Sequence, residues 1–486
     1  MKKKSLGLNA FLNGIRNICN IIFPIITFPY ISRILKVRQI GIFNFSNSFV
    51  GYFLLLAELG VNTYAIREGA KYRDNKKKIA EFVSEVFTVN LVSTIISYIL
   101  LIFSVLVFAQ IRNYSSYIFI LSAQIFFQTI GTEWLYQIYE DYAFITFRSV
   151  IIQIISIILL FVFVKNSNDF YNYIFITLFS TVGANILNFI FARQYCKIKI
   201  VFNFNWKEHL IPILFIFASN VATTIYVNSD ITLLGLMENN YIVGIYSVST
   251  KIYQIVKNLL AAVLTVTVPR LAMLFGKKLM KEYTHVLTGL VNTLLIISLP
   301  VSVGLFMLAK EVILIISGTH YLRAEVSLRI LCIAFIFAVF AWTLTGCVLI
   351  PAKREKLVLI STIISAGVNI IFNLLFIPYM QENAAAISTV LAEMSMFIIN
   401  GYFAKDIIGN LFRSRKIIKN LVTSLIGCIG IVIVCLCCER FIQSMILKTI
   451  GSIFLSVIIY AFILILTKNE LAVELLTYFK IMNYKK

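Results

Sequence analysis

Stretches of about twenty apolar residues recur along this chain with only short polar connections between them, and each is long enough to cross a bilayer as a helix. About fourteen such segments can be drawn: 9–30, 40–64, 79–108, 114–139, 142–164, 170–195, 210–236, 241–275, 285–308, 324–350, 357–379, 384–403, 417–438 and 446–467. A backbone in lipid must satisfy its own polar groups, so the expected fold is an all-α integral membrane protein. Composition agrees. Of 486 residues, 60% are hydrophobic and 13% charged, with mean hydropathy +0.90. Soluble domains carry about 25% charged residues. The longest connections are about 15–20 residues, too short for an independent domain.

Charge sets the expected topology. With fourteen crossings and a cytoplasmic N-terminus, about 28 Lys and Arg fall in inside loops and tails against about 9 outside. Cytoplasmic loops carry such an excess, so both termini are expected to be cytoplasmic. The formal charge of +21 is thereby assigned to topology and not to nucleic acid. Met1-Lys2-Lys3-Lys4 precedes a long apolar run without a small-residue cleavage site, so 9–30 reads as a spanning helix and not a cleaved signal. Seven of eight cysteines lie in apolar segments. Cys435, Cys437 and Cys438 have no nearby histidine, so no metal is expected.

Two seven-residue stretches match. Ile40-Gly41-Ile42-Phe43-Asn44-Phe45-Ser46 opens the second segment, and Val243-Gly244-Ile245-Tyr246-Ser247-Val248-Ser249 opens the eighth. Six helices separate them, an even number, so the repeats are parallel. This predicts an N-terminal lobe over 1–205 with helices 1–6 and a C-terminal lobe over 206–410 with helices 7–12. A central cavity would lie between them, and helices 13 and 14 with a cytoplasmic tail would occupy 411–486.

Polar residues inside the segments mark candidate sites. Asn13, Arg16, Asn17, Asn20 and Thr27 share one face of the first helix. Asn44, Asn47, Ser48, Gly51, Glu58 and Asn62 do so on the second. A buried arginine costs roughly 2.5–3.5 kcal/mol on insertion scales and normally faces a bundle interior or wet cavity. The eighth segment aligns Ser247, Lys251, Gln254, Asn258 and Thr265, with Lys257 beside them. The seventh carries Asn220, Thr223, Thr224 and Asp230. Arg16, Lys251 and Lys257 together would make a cationic cavity suited to a phosphate or pyrophosphate head group, with Asn17, Asn20 and Gln254 as amide partners. The alternative is that these cations pair with Glu58, Asp230 or Glu133, or snorkel. Arg67 could meet a phosphate at the inner end of the second helix. Glu393, Asp230 and Glu58 could couple transport to H+ or Na+. Asn369 and Asn373 read as helix–helix glue. No P-loop, H-E-x-x-H or G-x-S-x-G motif occurs in the sequence, and no enzyme activity or cofactor is expected.

FPIITFPYISRIL, followed by IGIFNFSNSFVGYFLLLAELGVNTYAIREGAKYRD, resembles the opening of bacterial O-antigen and capsular polysaccharide flippases. These form the polysaccharide-transport branch of the multidrug/oligosaccharidyl-lipid/polysaccharide exporter superfamily. The resemblance continues in HLIPILFIFASNVATTIYVNSDITLLG, in VGIYSVSTKIYQIVK with VPRL, and in EVILIISGTHYLRAEVSLRIL. It implies two six-helix lobes and two further helices in the bacterial inner membrane. It further implies alternating-access transfer of an undecaprenyl-pyrophosphate-linked oligosaccharide to the outer leaflet, for O-antigen, capsule or exopolysaccharide. A polysaccharide polymerase and a chain-length regulator are the implied partners, besides membrane lipid. In the related lipid II flippases, arginines on the first helices line a cationic cavity, and Arg16 stands where such a residue would. The competing expectation is a multidrug or organic-cation antiporter of the same superfamily, which would favour an acidic cavity. A membrane glycosyl- or acyltransferase lacks a catalytic constellation.

Overall fold

The computed structural model describes residues 6–409, 411, 414–467 and 469, all helix and connection with no strand among them. The basic residues Lys2, Lys3, Lys4, Arg413, Lys468, Lys480, Lys485 and Lys486, and with them most of the expected tail, lie outside the described residues. Thirteen helical stretches among the described residues are long and apolar enough to cross a membrane. The remaining expected segment, the eighth, is a 37-residue helix. Outward faces are apolar, as on the third span, where Ile95, Ile99, Ile102, Phe103 and Leu106 are exposed. The chain is a multi-pass membrane protein.

The chain forms two compact units, Met1–Gly244 and Ile245–Lys486. The first contains α1 (Leu6–Ile34), α2 (Val37–Glu58), α3 (Val61–Gly69), α4 (Lys76–Val107), α5 (Ala109–Arg112), α6 (Ser115–Gly131), α7 (Glu133–Ile138), α8 (Tyr142–Phe163), α9 (Phe170–Ala192), α10 (Trp206–Met237) and the first turn of α11 (Asn240–Gly276). The boundary expected from the repeat lay at 205/206. The compact unit runs one helix further because α10 packs along α2 and α3. Ser48 and Tyr52 hydroxyls each lie 3.1 Å from the Thr232 hydroxyl. His209 bridges Tyr64 at 2.8 Å and Glu85 at 2.9 Å.

Two of the spans in this unit are broken. Between α2 and α3, Leu59 and Gly60 adopt φ of 46° and 81°, and a Cβ on Gly60 would crowd Ile216 of α10. The break frees the Ala57 carbonyl, which accepts instead from Asn90 Nδ2 at 2.7 Å and Ser93 Oγ at 2.6 Å on α4. Between α6 and α7, Thr132 has φ 39°, and Gly131 leaves room for Asn185. Irregular backbone at membrane depth is tolerated where it is buried in protein or lines a cavity. The apolar core changes over at both breaks. Phe53, Ala57 and Ile125 belong to one cluster, and Val61, Trp134 and Tyr136 to another. α4 begins where Asn75 Oδ1 caps the amides of Lys77 and Lys78, each at 3.1 Å, straight after the basic loop.

The second unit holds the rest of α11, α12 (Met280–Met307), α13 (Ala309–Ser317), α14 (Ala324–Thr343), which runs into a π-helical stretch at Leu344–Leu349, α15 (Glu355–Met380), α16 (Glu382–Ile408), α17 (Arg415–Phe441) and α18 (Met445–Leu466). α16 packs against both α14 and α15, and α17 against α12 and α18. The last two helices are therefore joined to this unit. Lys448 Nζ meets Glu311 at 2.5 Å, and the Tyr460 hydroxyl donates to the Ile296 carbonyl at 2.8 Å.

Candidate functional site

The two breaks bring acidic residues to one place. Glu58 ends α2 and Glu133 begins α7, and both line a pocket of about 540 Å³ inside the first unit. Its walls come from α1, α2, α3, α4, α6, α7, α8 and α9. Six carboxamides face it: Asn20, Asn62, Asn90, Gln128, Gln153 and Asn185. Ser149, Ser180 and Thr181 add hydroxyls, and Phe23 and Trp134 add aromatic surface. The amides are partly linked to each other. Gln153 Nε2 donates to Asn20 Oδ1 at 2.7 Å, and Asn185 Nδ2 to Gln128 Oε1 at 2.8 Å. Gln128 also hydrogen-bonds Glu58.

One carboxylate organises the charges. Glu133 Oε1 lies 2.8 Å from Arg16 Nη2, and its Oε2 lies 2.9 Å from Arg148 Nη2. Gln137 donates to Oε1 at 3.2 Å. The Arg148 side chain is 3% exposed, against 24% for Arg16 and 23% for Glu133. Arg148 also donates to the Ala184 carbonyl at 3.1 Å and sits 5.6 Å from the ring centres of Tyr136 and Phe144. A buried guanidinium needs this many partners to offset its lost hydration.

Of the residues singled out in sequence, Arg16, Asn20 and Glu58 meet in this pocket. Asn17 is exposed and does not line it. Arg67 is exposed and paired with Glu68 at 3.1 Å. Asp230 is buried on α10, outside the lining. This pocket holds one lining arginine and two carboxylates, and it is not the cavity expected from Arg16, Lys251 and Lys257 between the two lobes. Pairing of Arg16 with Glu133 is the alternative that the sequence left open.

Within the second unit, Lys257 Nζ pairs with Glu393 Oε1 at 2.8 Å, and the Tyr253 hydroxyl donates to the same oxygen at 3.2 Å. The carboxylate expected to be a coupling site is thus held in an ion pair. Lys251 is half-buried and Gln254 exposed. Asn373 Nδ2 donates to Asn369 Oδ1 at 3.0 Å, a local bridge along one helix.

Sequence reasoning passed over Arg148, Asn90, Gln128, Gln153 and Asn185, and weighed Glu133 only as a counter-ion. Arg148 carried the same signal as Arg16, a charge within an apolar segment. The amides carried none, because single Asn and Gln residues in spanning helices usually serve packing.

Comparison with known proteins places these features in context. The family model described as "Polysaccharide biosynthesis protein" matches residues 6–275. A candidate O-antigen transporter of Escherichia coli K12 is 25% identical over 281 residues, covering 56% of this chain and 66% of that protein, just under two thirds of its length. A candidate O-antigen transporter of Shigella dysenteriae is 23% identical over 397 residues, covering 81% and 97%. Among solved structures, the lipid II flippase MurJ in an inward closed conformation aligns with TM-score 0.76 at 16% identity, covering 96% of this chain and 99% of that one. An inward-facing multidrug resistance MATE transporter aligns with TM-score 0.58 at 15% identity, covering 81% and 99%. At these identities the structural likeness concerns the fold.

Proposed function

The chain belongs to the polysaccharide biosynthesis protein family, and from that premise we propose that it is a flippase that moves lipid-linked saccharide across the membrane. The observation that carries this reading is the amide-lined pocket in an apolar bundle. Taking a saccharide through hydrocarbon would strip its hydroxyls of hydrogen bonds at a cost of several kcal/mol each. Carboxamides donate and accept, as sugar hydroxyls and acetamido groups do. The six around this pocket, with three hydroxyls, offer replacement partners while a lipid tail stays in the bilayer. The pocket lies in the common size range of small-molecule sites, about 300–1,000 Å³.

In full, the reading is a flippase in the bacterial inner membrane, with both termini cytoplasmic. It carries an undecaprenyl-pyrophosphate-linked repeat unit outward by alternating access and passes it to a polymerase and chain-length regulator. The product is O-antigen, capsule or exopolysaccharide. The names of the two bacterial relatives and of the lipid II flippase support this choice of cargo. Its action is transport, without covalent chemistry on the cargo. Coupling to H+ or Na+ would act through Glu58, which lines the pocket and has the Gln128 amide as its partner.

Glu58 favours a second reading, organic-cation antiport, because a carboxylate in a pocket attracts cations, whereas Glu133 is already compensated by Arg16 and Arg148. The two readings separate in cells. A flippase changes the leaflet in which lipid-linked saccharide accumulates. An antiporter changes accumulation of a cationic dye and leaves the saccharide where it was.

A further inference from the structure

Three charges share one carboxylate in the first unit. Arg16, Glu133 and Arg148 carry a net charge of one positive, and the two arginines use opposite oxygens of Glu133. They differ in setting. Arg148 is enclosed by the Ala184 carbonyl and the rings of Tyr136 and Phe144, and its side chain is almost fully buried. Arg16 belongs to α1, is about a quarter exposed, and lines the pocket. Its one ion pair among the described residues is with Glu133.

The geometry points to an exchangeable ion pair: Arg16 leaves Glu133 for an incoming phosphate or pyrophosphate anion, while Arg148 stays and keeps the Glu133 charge compensated. Removing the partner of a half-buried carboxylate is costly when nothing replaces it. Here a second cation is already in place, so the exchange leaves no carboxylate bare. Glu133 and Arg148 then act as positioning residues that set how readily Arg16 is given up. Glu58 bounds the same pocket and opposes an anion, which makes the release of Arg16 the step that admits one. This rests on the transport reading above and assigns roles within it.

The test uses the full chain in lipid nanodiscs, titrated with farnesyl pyrophosphate, inorganic pyrophosphate and farnesol. Tighter binding of farnesyl pyrophosphate than of the inorganic anion identifies a lipid headgroup as the source. Equal binding identifies the free anion. Either supports the exchange, and a wild-type protein that binds neither overturns it. Glu133→Gln frees Arg16 and is expected to tighten binding about threefold or more, whereas a purely structural role would weaken it. Arg148→Met leaves Glu133 with Arg16 alone and is expected to weaken binding about tenfold. Arg148→Met/Glu133→Gln should return to within about threefold of wild type, a non-additive recovery. Weaker or unchanged binding in Glu133→Gln, or a double variant no better than Arg148→Met, overturns the exchange. If either single variant fails to fold, the remaining single variant and the uncharged double decide. A failed exchange in a protein that still shifts lipid-linked saccharide between leaflets leaves the transport reading standing. Loss of that shift in wild type removes the reading itself.

Discussion

Gly41 of α2 and Gly244 in the first turn of α11 meet backbone to backbone. A Cβ on Gly41 would lie 3.0 Å from the Gly244 nitrogen and overlap the Asn240 carbonyl, and one on Gly244 would overlap the Val37 carbonyl. These are the glycines of the two matching stretches that revealed the repeat. Each is required because only a residue without Cβ lets the backbones approach this closely. Gly41→Ala and Gly244→Ala are each expected to lower stability by about 1–3 kcal/mol or more, since backbone on the other side cannot give way as a side chain can. Thermal unfolding of the purified variants in detergent checks this. An unchanged midpoint in both would show that the crossing is looser than described.

That contact also shows what was legible in advance. Periodicity and charge gave the spans, because lipid imposes length and apolarity on every crossing. The repeat gave Gly41 and Gly244 as a matched pair, though not that they touch. The breaks after Glu58 and at Thr132 were hidden, because neither carries a proline and the apolar pattern runs through both. Those breaks set Glu58 and Glu133 facing one pocket, so the site could be only partly read. Arg16 was found from its charge. Its partner was one of three candidate acids, and the structure was needed to single out Glu133, which lies more than a hundred residues away.

Lys257 and Glu393 form a pair in which the lysine side chain is 25% exposed and the glutamate 4%. Glu393→Gln removes the charge partner of Lys257 while leaving an amide oxygen for the Tyr253 hydroxyl, and is expected to cost about 1–3 kcal/mol. Lys257→Met/Glu393→Gln should recover most of the loss, because an absent pair leaves no orphaned charge. Urea or thermal unfolding of the three variants measures the coupling, and additive losses would argue against a stabilising pair.

Cys196 lies in the connection between α9 and α10, outside the spans, and burial pushes its thiol up to about 11. The protonated thiol is the buried form. Its contribution to stability is complete below about pH 8.5, where an unfolded thiol titrates, and declines as pH rises toward about 11. A variant keeping only Cys196 should resist maleimide at pH 7.5 when folded and react readily in detergent that unfolds it. Rapid labelling of the folded protein would contradict this burial.

Glu58 lines the pocket with Gln128 as its hydrogen-bond partner, whereas Glu393 is engaged by Lys257. Glu58→Gln is therefore expected to flatten the response of transport to imposed proton and sodium gradients, with folding retained. Glu393→Gln should keep the response in whatever fraction remains folded. Vesicle flux measured across a pH and sodium series distinguishes them. A response retained in Glu58→Gln and lost in Glu393→Gln would move coupling to the second unit.

The most direct test of the account is the leaflet in which lipid-linked saccharide resides in cells with this protein, without it, and with Arg16→Gln at matched membrane abundance. The account expects accumulation in the cytoplasmic leaflet without the protein, relief by the wild type, and at least about tenfold less relief by Arg16→Gln, the loss of one charge-assisted contact. Identical sidedness in all three, or full relief by Arg16→Gln, would contradict it.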